Sequence, residues 1–302
     1  MFVRMTRKSP PDAMQESPSY PAARRLACAG TSAAVAAAIT NPIEILRVRF
    51  QLEPSSPSVF ALARTVVKEE GFVRGLMQPG VAAWMLAMGS AFSFRMALYE
   101  PLRDSIERVS QTSTPATAFA AGLCTGALTN AAACPFFNVK ALQQSRSTTV
   151  SPSGSFLAEF AATSRSGGVA GHYRGVGALF LRGGAISAGQ LSGYDAAKRA
   201  VRANGLREGP GTHVLCSLFA AACASVLSLP PDYIVNHYQG APKLGVQYSS
   251  LWHCVSDLVS KQGVMVLFRG LGPQYLKLAP IFLTTLPMYE QLRRLAGLGY
   301  LR

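Results

Sequence analysis

The sequence has little charge. Asp, Glu, Lys and Arg make up 15% of its 302 residues, whereas about 25% is usual for soluble domains. The six cysteines form no Cys-x-x-Cys pair, and the four histidines lack the spacing of metal ligands. The sequence also contains no P-loop and no nucleophile–base constellation. We therefore expect no disulfide framework, no metal site, no cofactor and no enzyme.

What the sequence does contain is long runs without charge. Residues 116–139 and 211–231 carry no Asp, Glu, Lys or Arg, and each run is long enough to cross a bilayer. Both are rich in Ala, Gly, Ser and Cys, as is usual where helices pack on helices inside a membrane. A buried soluble helix would explain one such run, but several at regular spacing favour a membrane bundle.

The net charge of +14 raises the question of nucleic-acid binding. The cations are scattered over interhelical segments and helix ends, however, and no aromatic residues are interleaved with them. Contact with anionic lipid explains them better, so we expect no nucleic-acid partner.

The first 20 residues differ from the rest of the chain. They contain three cations but no long apolar core, which excludes a secretory signal. Asp12, Glu16 and the prolines favour a disordered extension over a weak mitochondrial targeting segment.

The chain repeats one unit three times, and proline marks the register. The aligned prolines and the glutamines nine residues after them are Pro42, Pro135 and Pro230, with Gln51, Gln144 and Gln239. Further along, serines stand thirteen residues before aligned glycines, at Ser58, Ser155 and Ser250 before Gly71, Gly168 and Gly263. These markers predict repeats over residues 21–110, 111–206 and 207–302, hereafter units one, two and three.

Each unit is predicted to hold a long helix bent at the proline, a short amphipathic helix and a second membrane helix. The serine is the expected N-cap of the short helix, and the glycine is its expected C-terminal residue. The prediction is an all-α membrane protein of one integral domain, with six transmembrane helices in three repeats about a pseudo-threefold axis.

Charges inside membrane helices are costly and are functional by default. Glu44 and Arg47 share a helix face in unit one. The equivalent residues are Phe137 and Lys140 in unit two and Asp232 and Val235 in unit three. If each acid meets the base of the next unit, Glu44 pairs with Lys140, Asp232 pairs with Arg47, and Phe137 faces Val235. The compensated pattern predicts a gate, with the three glutamines Gln51, Gln144 and Gln239 nearby.

A second ring of charge is predicted at the other helix ends. Its acids and bases recur at intervals of 95 residues, at Glu100, Asp195 and Glu290 with Arg103, Lys198 and Arg293. Tyrosines precede the acids and are expected to brace them, at Tyr99, Tyr194 and Tyr289. Two charge rings suit a cavity that closes at one end at a time.

These motifs resemble those of the mitochondrial carrier family over residues 22–295. The motif Pro-x-Asp/Glu-x-x-Lys/Arg-x-Lys/Arg is complete in "PIEILRVR" and partial in units two and three, and Phe/Tyr-Asp/Glu-x-x-Lys/Arg is intact three times. Segments such as "PFFNVK" and "RGGAISAGQLSGYDAAK" look most like the oxaloacetate/sulfate carrier branch and its dicarboxylate-carrier-like relatives. The resemblance implies a monomeric multi-pass protein of the mitochondrial inner membrane, with the amphipathic helices on the matrix side, that moves a small dianion by exchange or with protons.

The resemblance also implies cardiolipin sites at amide-rich helix starts. The matching residues are Gly71, Gly168 and Gly263, with Tyr173, Arg174 and Gly175 in unit two and Phe268, Arg269 and Gly270 in unit three. In unit one Met77, Gln78 and Pro79 stand where the aromatic–basic–glycine triplet belongs, so the site there departs from the family pattern.

Candidate substrate residues lie between the two rings. Arg182 and Lys277 each come thirteen residues before an acid of the second ring, which is about 20 Å along a helix. Arg95 and Gln190 lie nearer that ring, and Gly183 beside Arg182 is expected to leave space for a ligand. Two guanidinium groups and an ammonium facing one cavity suit a carboxylate or sulfate.

The sequence is also compatible with two other functions. One is a nucleotide or cofactor carrier, for which a glycine and an aliphatic residue would be usual at the Arg182–Gly183 position. The other is a degenerate carrier that acts as a membrane scaffold or receptor, since one gate motif is incomplete.

Overall fold

A computed structural model of the chain describes residues 22–53, 58–111, 115–145, 155–204, 210–243 and 245–296. Over these ranges the chain forms ten α-helices and no strand. Unit one contains α1 (Ala22–Leu52), α2 (Val59–Glu70) and α3 (Val81–Ser110). Unit two contains α4 (Pro115–Ala132), α5 (Cys134–Gln144), α6 (Phe156–His172) and α7 (Val176–Ala203), and unit three contains α8 (Pro210–Gly240), α9 (Leu251–Gln262) and α10 (Leu271–Leu295). The extension predicted over residues 1–20 lies outside the described residues.

Within the described ranges, six helical segments are long enough to span a membrane. In the described part of the chain, three segments are both long and apolar enough, namely Ala23–Leu52, Val73–Ser110 and Val214–Gly240. A fourth span is the bent pair Phe119–Ala132 and Cys134–Gln144. The remaining two, α7 and α10, have 28 and 25 residues and exceed the ~20 that a span needs. They are more polar because they carry charged residues. The predicted all-α membrane architecture is confirmed.

The spanning helices form a closed ring. Each packs against its neighbours in the order α1, α3, α4–α5, α7, α8, α10 and back to α1. Each unit contributes two adjacent helices, so the ring has the predicted threefold arrangement. The first and last spanning helices are neighbours, which closes the ring without a covalent link.

The short helices have the predicted ends. The hydroxyls of Ser58, Ser155 and Ser250 accept hydrogen bonds from the backbone N–H of the residue three further on, at 3.1, 3.3 and 3.1 Å. Gly71 and Gly263 end α2 and α9 with φ of 80° and 78°. Gly168 has φ of 57° and interrupts α6, whose final residues follow this break.

The prolines behave differently in the three units. In units one and three the first helix continues through Pro42 and through Pro230 and Pro231. In unit two the helix breaks at Ala133, and α4 and α5 meet at 64°. Pro135 then lies in the first turn of α5, where its missing N–H leaves no hydrogen bond unmade.

Glycines allow the helices of the ring to approach closely. A Cβ on Gly89 of α3 would lie 3.0 Å from the carbonyl oxygen of Gly30 in α1. A Cβ on Gly189 of α7 would lie 2.5 Å from the Cα of Ala224 in α8. Since backbone atoms occupy these places, a side chain would force the helices apart.

This packing predicts the effect of one methyl group. Gly189→Ala should lower the stability of the folded protein by about 1–3 kcal/mol, because the contacted atoms belong to the backbone of α8. The measurement is the thermal unfolding midpoint of the purified protein in lipid and detergent. Gly211→Ala is the control, since Gly211 is helical and exposed with no atom within 4 Å of the added carbon. Equal midpoints for the two variants would contradict the packing.

Candidate functional site

A network of six buried charged side chains lies inside the ring, toward the end where the amphipathic helices are. Its members are at most 4% exposed and come from five helices: Glu44 and Arg47 of α1, Lys140 of α5, Arg182 of α7, Asp232 of α8 and Lys277 of α10. Because these side chains are buried, water does not screen their charges.

The two carboxylates hold the network together. Glu44 accepts hydrogen bonds from Arg47 at 2.8 and 2.7 Å, pairs with Lys140, and lies 3.1 Å from the Nζ of Lys277. Asp232 pairs with Arg47 and lies 2.7 Å from the Nε of Arg182. The predicted pairs Glu44–Lys140 and Asp232–Arg47 are confirmed. Two further cations share the same carboxylates, which the sequence did not predict.

Phe137 occupies the place of the missing third acid. It belongs to one buried apolar cluster with Val235 and Trp84. Its ring also lies 4.9 Å below the guanidinium carbon of Arg182 and edge-on to Trp84 at 6.1 Å. The aromatic ring thus offers Arg182 a cation–π contact where a carboxylate would offer an ion pair.

The three predicted glutamines join neighbouring units, and two of them do so by donating to the carbonyl of an arginine in equivalent positions. Gln51 accepts from Arg47 at 3.1 Å and donates to the carbonyl of Arg269 at 3.3 Å. Gln239 donates to the carbonyl of Arg174 at 2.9 Å, and Gln144 donates to Asn41 at 3.1 Å. Among the three, Gln51 is the one with a hydrogen bond to a network charge.

A cavity of about 440 Å³ lies directly above the network. Trp84, Phe137, Arg182 and Lys277 line its lower part, and it extends along α7 as far as Tyr194 and the exposed Asp195. The thirteen residues from Arg182 to Asp195 correspond to about 20 Å of helix. The ring of helices is therefore closed by ion pairs at one end and hollow toward the other.

The structure brings the candidate substrate residues to this cavity. Arg95, Gln190, Arg182 and Lys277 all line it, and Arg95 donates to Gln190 at 3.5 Å. Arg182 and Lys277 each also contact a carboxylate of the network, which repeat position alone did not predict.

Gly183, which was expected to leave room for a ligand beside Arg182, also lines the cavity. A Cβ there would overlap the carbonyl oxygen of Gly126 in α4. This glycine therefore also allows close packing of α4 on α7.

At Arg103 the predicted second ring does not form an ion pair between units. This side chain donates to Glu107 of its own helix at 2.8 Å, and Glu100 and Asp195 are exposed. The reason is local, because a carboxylate one turn away on the same helix is always within reach. The side chain of Glu290 lies outside the described part.

The tyrosines of that end have different surroundings. Tyr289 is 2% exposed, packs edge-on to Phe92 at 6.1 Å and lies under the guanidinium group of Arg293 at 5.6 Å. Tyr194 lines the cavity, and Tyr99 and Lys198 are half-buried. Bracing of the acids by these tyrosines remains a prediction.

The predicted lipid residues form the turns that begin α7 and α10. Gly175 and Gly270 adopt φ of 79° and 91°. Tyr173 and Phe268 are exposed by 42% and 39%. Arg174 and Arg269 donate to the carbonyls of Tyr238 and Phe50 at 3.1 and 3.0 Å and stack on those same two rings. These two arginines therefore join neighbouring units.

Unit one reaches the same turn by a longer route. Gly80 lies nine positions after Gly71, whereas the equivalent glycines of the other units lie seven positions apart. The π-helix Val73–Met77 takes up part of the excess, and Gly80 begins α3 with φ of 67° directly above Gln144. The expectation that Met77, Gln78 and Pro79 replace the whole triplet is wrong, because Gly80 supplies its glycine.

Two residues of the site were missed in the sequence. Trp84 lines the cavity one turn before Ala87, the unit-one equivalent of Arg182 and Lys277. Asn130 accepts a hydrogen bond from Arg182 at 3.2 Å and donates to the carbonyl of Gly126 at 2.9 Å. The sequence did offer a signal for both residues, because a tryptophan and an asparagine stand out in membrane spans that otherwise consist largely of small residues.

The membrane helices form a ring around a cavity, and buried ion pairs close this cavity at one end. This arrangement defines a membrane carrier. A family profile described as mitochondrial carrier protein matches residues 18–110, 111–205 and 207–298. The chain belongs to the mitochondrial carrier family. It is a multi-pass protein of the mitochondrial inner membrane, and the amphipathic helices lie on the matrix side.

Similar curated proteins are transporters. The chain is 28% identical to mitochondrial citrate transporter E of Aspergillus niger over 287 residues, which are 88% of this chain and 91% of the relative. It is 27% identical to the mitochondrial oxaloacetate transport protein of Saccharomyces cerevisiae over 294 residues, 88% and 87% of the two chains. It is 25% identical to dicarboxylate carrier UCP2 of Danio rerio over 282 residues, 88% and 90% of the two chains. These relatives support a transporter role.

The surroundings of Phe137 generate a prediction. Phe137→Asp should remain folded, because the new carboxylate would meet the guanidinium of Arg182 rather than be stranded opposite Val235. It should also raise the KM for an anionic substrate by roughly tenfold, since one positive charge at the cavity floor is neutralised. The measurement is transport kinetics in liposomes with a parallel thermal unfolding scan. Phe137→Leu keeps the charge and serves as control, and unfolding of the aspartate variant alone would refute this placement.

Proposed function

We propose that this carrier moves a small dianion, a dicarboxylate such as oxaloacetate or malate, or sulfate. The observation that supports this most directly is the charge balance of the buried network. Four cations, Arg47, Lys140, Arg182 and Lys277, share two carboxylates, Glu44 and Asp232. Two positive charges are therefore in excess at the cavity floor.

Buried charges without counter-ions are costly, so the excess favours an anion of matching charge. Arg182 and Lys277 line the cavity, whereas Arg47 is fully buried below them. An anion that reaches the floor would meet one guanidinium group, which suits bidentate contact with a carboxylate or sulfate, and one ammonium group. Arg95 on the wall adds a third positive charge on the route from the open end.

The same two cations link substrate binding to opening of the matrix gate. Arg182 and Lys277 each hold a carboxylate of the network, at 2.7 and 3.1 Å. A dianion that takes both cations competes with Asp232 and Glu44 for them. Substrate binding thereby weakens the ion pairs that close the matrix end, and the cavity opens toward the matrix while the predicted cytoplasmic ring closes.

The printed names of the relatives agree with this substrate class. One is a citrate transporter, one an oxaloacetate transport protein and one a dicarboxylate carrier. All three names refer to anions with two or more carboxylates. These names support a substrate of this class, and experiment must identify the particular anion.

Transport in reconstituted liposomes tests the proposal. Uptake of labelled malate, oxaloacetate, malonate or sulfate should be saturable, while phosphate, citrate and ADP serve as competitors. Arg182→Ala should lower dianion uptake by at least roughly tenfold, because it removes a charged hydrogen-bond donor from the floor. It should stay folded, since Asp232 keeps Arg47 as a partner.

Arg165→Ala is the matched control, because Arg165 is exposed on α6 and is not among the residues that line the cavity. Full transport by Arg182→Ala would remove Arg182 from the substrate site. Absence of uptake of every dianion by the unaltered protein would overturn the proposed function.

We also propose that cardiolipin binds at the turns that begin α7 and α10. Exposed aromatic residues and positive-φ glycines flank Arg174 and Arg269 there. Unit one has Gly80 but neither the aromatic residue nor the arginine beside it.

Cardiolipin occupancy should therefore be lower at unit one than at units two and three. Native mass spectrometry of the protein with titrated cardiolipin, combined with lipid density in a structure, measures it. Two tightly bound lipids and a weaker third are expected. Equal occupancy of the three sites would contradict the prediction.

A further inference from the structure

The geometry points to Trp84 as a substrate-contacting residue, whose indole N–H donates a hydrogen bond to the bound dianion. This inference rests on the proposed function and adds a specific residue to its site. Trp84 lines the cavity together with Arg182 and Lys277 and is 1% exposed.

The indole N–H is an unused buried donor. Within the described part of the chain it has no hydrogen-bond acceptor. Buried tryptophan N–H groups are nearly always paired, and leaving one unpaired costs free energy. An oxygen atom of a bound anion at the cavity floor would satisfy it.

Lys277 adds further donors to the same cavity. Its Nζ contacts one carboxylate, Glu44, at 3.1 Å, whereas an ammonium group carries three donors. A buried indole N–H without an acceptor among the described residues and an ammonium group that shares its carboxylate with other cations indicate a ligand that brings several acceptor oxygens.

The repeat explains why unit one contributes a tryptophan. The residue equivalent to Arg182 and Lys277 is Ala87, which is fully buried and has no polar atom in its side chain. Trp84 precedes it by one turn, and its ring lies 5.7 Å from the Nζ of Lys277. The indole therefore fills the sector of the floor where unit one has no cation, and it supplies a neutral donor there.

The same ring also contacts the gate. The Nζ of Lys140, which pairs with Glu44, lies 4.9 Å from its centroid. The indole thus has one cation of the gate and one cation of the substrate site within cation–π range. An anion that draws Lys277 away changes the surroundings of the indole, so its fluorescence should report binding.

The chain offers a direct optical test, because it contains two tryptophans. The second, Trp252, is 78% exposed on α9. In Trp252→Phe, Trp84 is the sole indole fluorophore and keeps its native surroundings. Titration with malate or sulfate should change its emission saturably, with a midpoint close to the transport KM of the same protein. Trp84→Phe should lose this signal.

Kinetics test the hydrogen bond itself. Trp84→Phe keeps an aromatic ring but removes the N–H, so KM should rise roughly tenfold with a smaller change in the maximal rate. Trp252→Phe, the matched control, should transport as the unaltered protein does. Thermal unfolding scans on both variants show that the comparison is made on folded protein.

The outcomes separate this inference from the proposed function. Dianion transport by Trp252→Phe with no change in Trp84 emission at saturating anion overturns the inference and leaves the proposed function standing. Equal KM values for Trp84→Phe and Trp252→Phe do the same. Absence of dianion transport by the unaltered protein overturns both.

Discussion

The structure depends on one electrostatic feature: four buried cations share two buried carboxylates. Glu44 and Asp232 are almost completely shielded from water, and removal of one partner from a buried ion pair typically costs about 3–5 kcal/mol. The network therefore holds five helices together at the matrix end. Because its charges do not cancel, the network has an uncompensated positive charge at the base of the cavity, which favours an anion there.

Close packing of the helices at glycines makes this network possible. Gly30 and Gly89 let α1 approach α3, and Gly189 lets α7 approach α8. Short separations keep the interior narrow, so side chains from different units can share one carboxylate. Small residues in the spans thus serve the site as much as the fold, because wider spacing would admit water and weaken every pair.

Most of the correct predictions came from the position of residues in the threefold repeat. The serine caps, the glycine ends of α2 and α9, and the pairs Glu44–Lys140 and Asp232–Arg47 follow from repeat position alone. Repeat position does not show how far a long side chain reaches, so the contacts of Arg182 with Asp232 and of Lys277 with Glu44 were not predicted. Nor does it show competition from a neighbour on the same helix, as at Arg103 and Glu107, or the two extra residues before Gly80 that the π-helix partly absorbs.

The seam between α10 and α1 closes the ring without any peptide bond. The side chain of Gln51 lies against Gly270 there, as Gln144 lies against Gly80 and Gln239 against Gly175 at the two joints that the chain crosses. Arg269 adds hydrogen bonds to the carbonyls of Phe50 and Glu53 across the same seam. The glutamine–glycine contact is thus common to all three joints, including the one that no peptide bond spans. The molecule is in this sense circular, because the same contact joins its last spanning helix to its first.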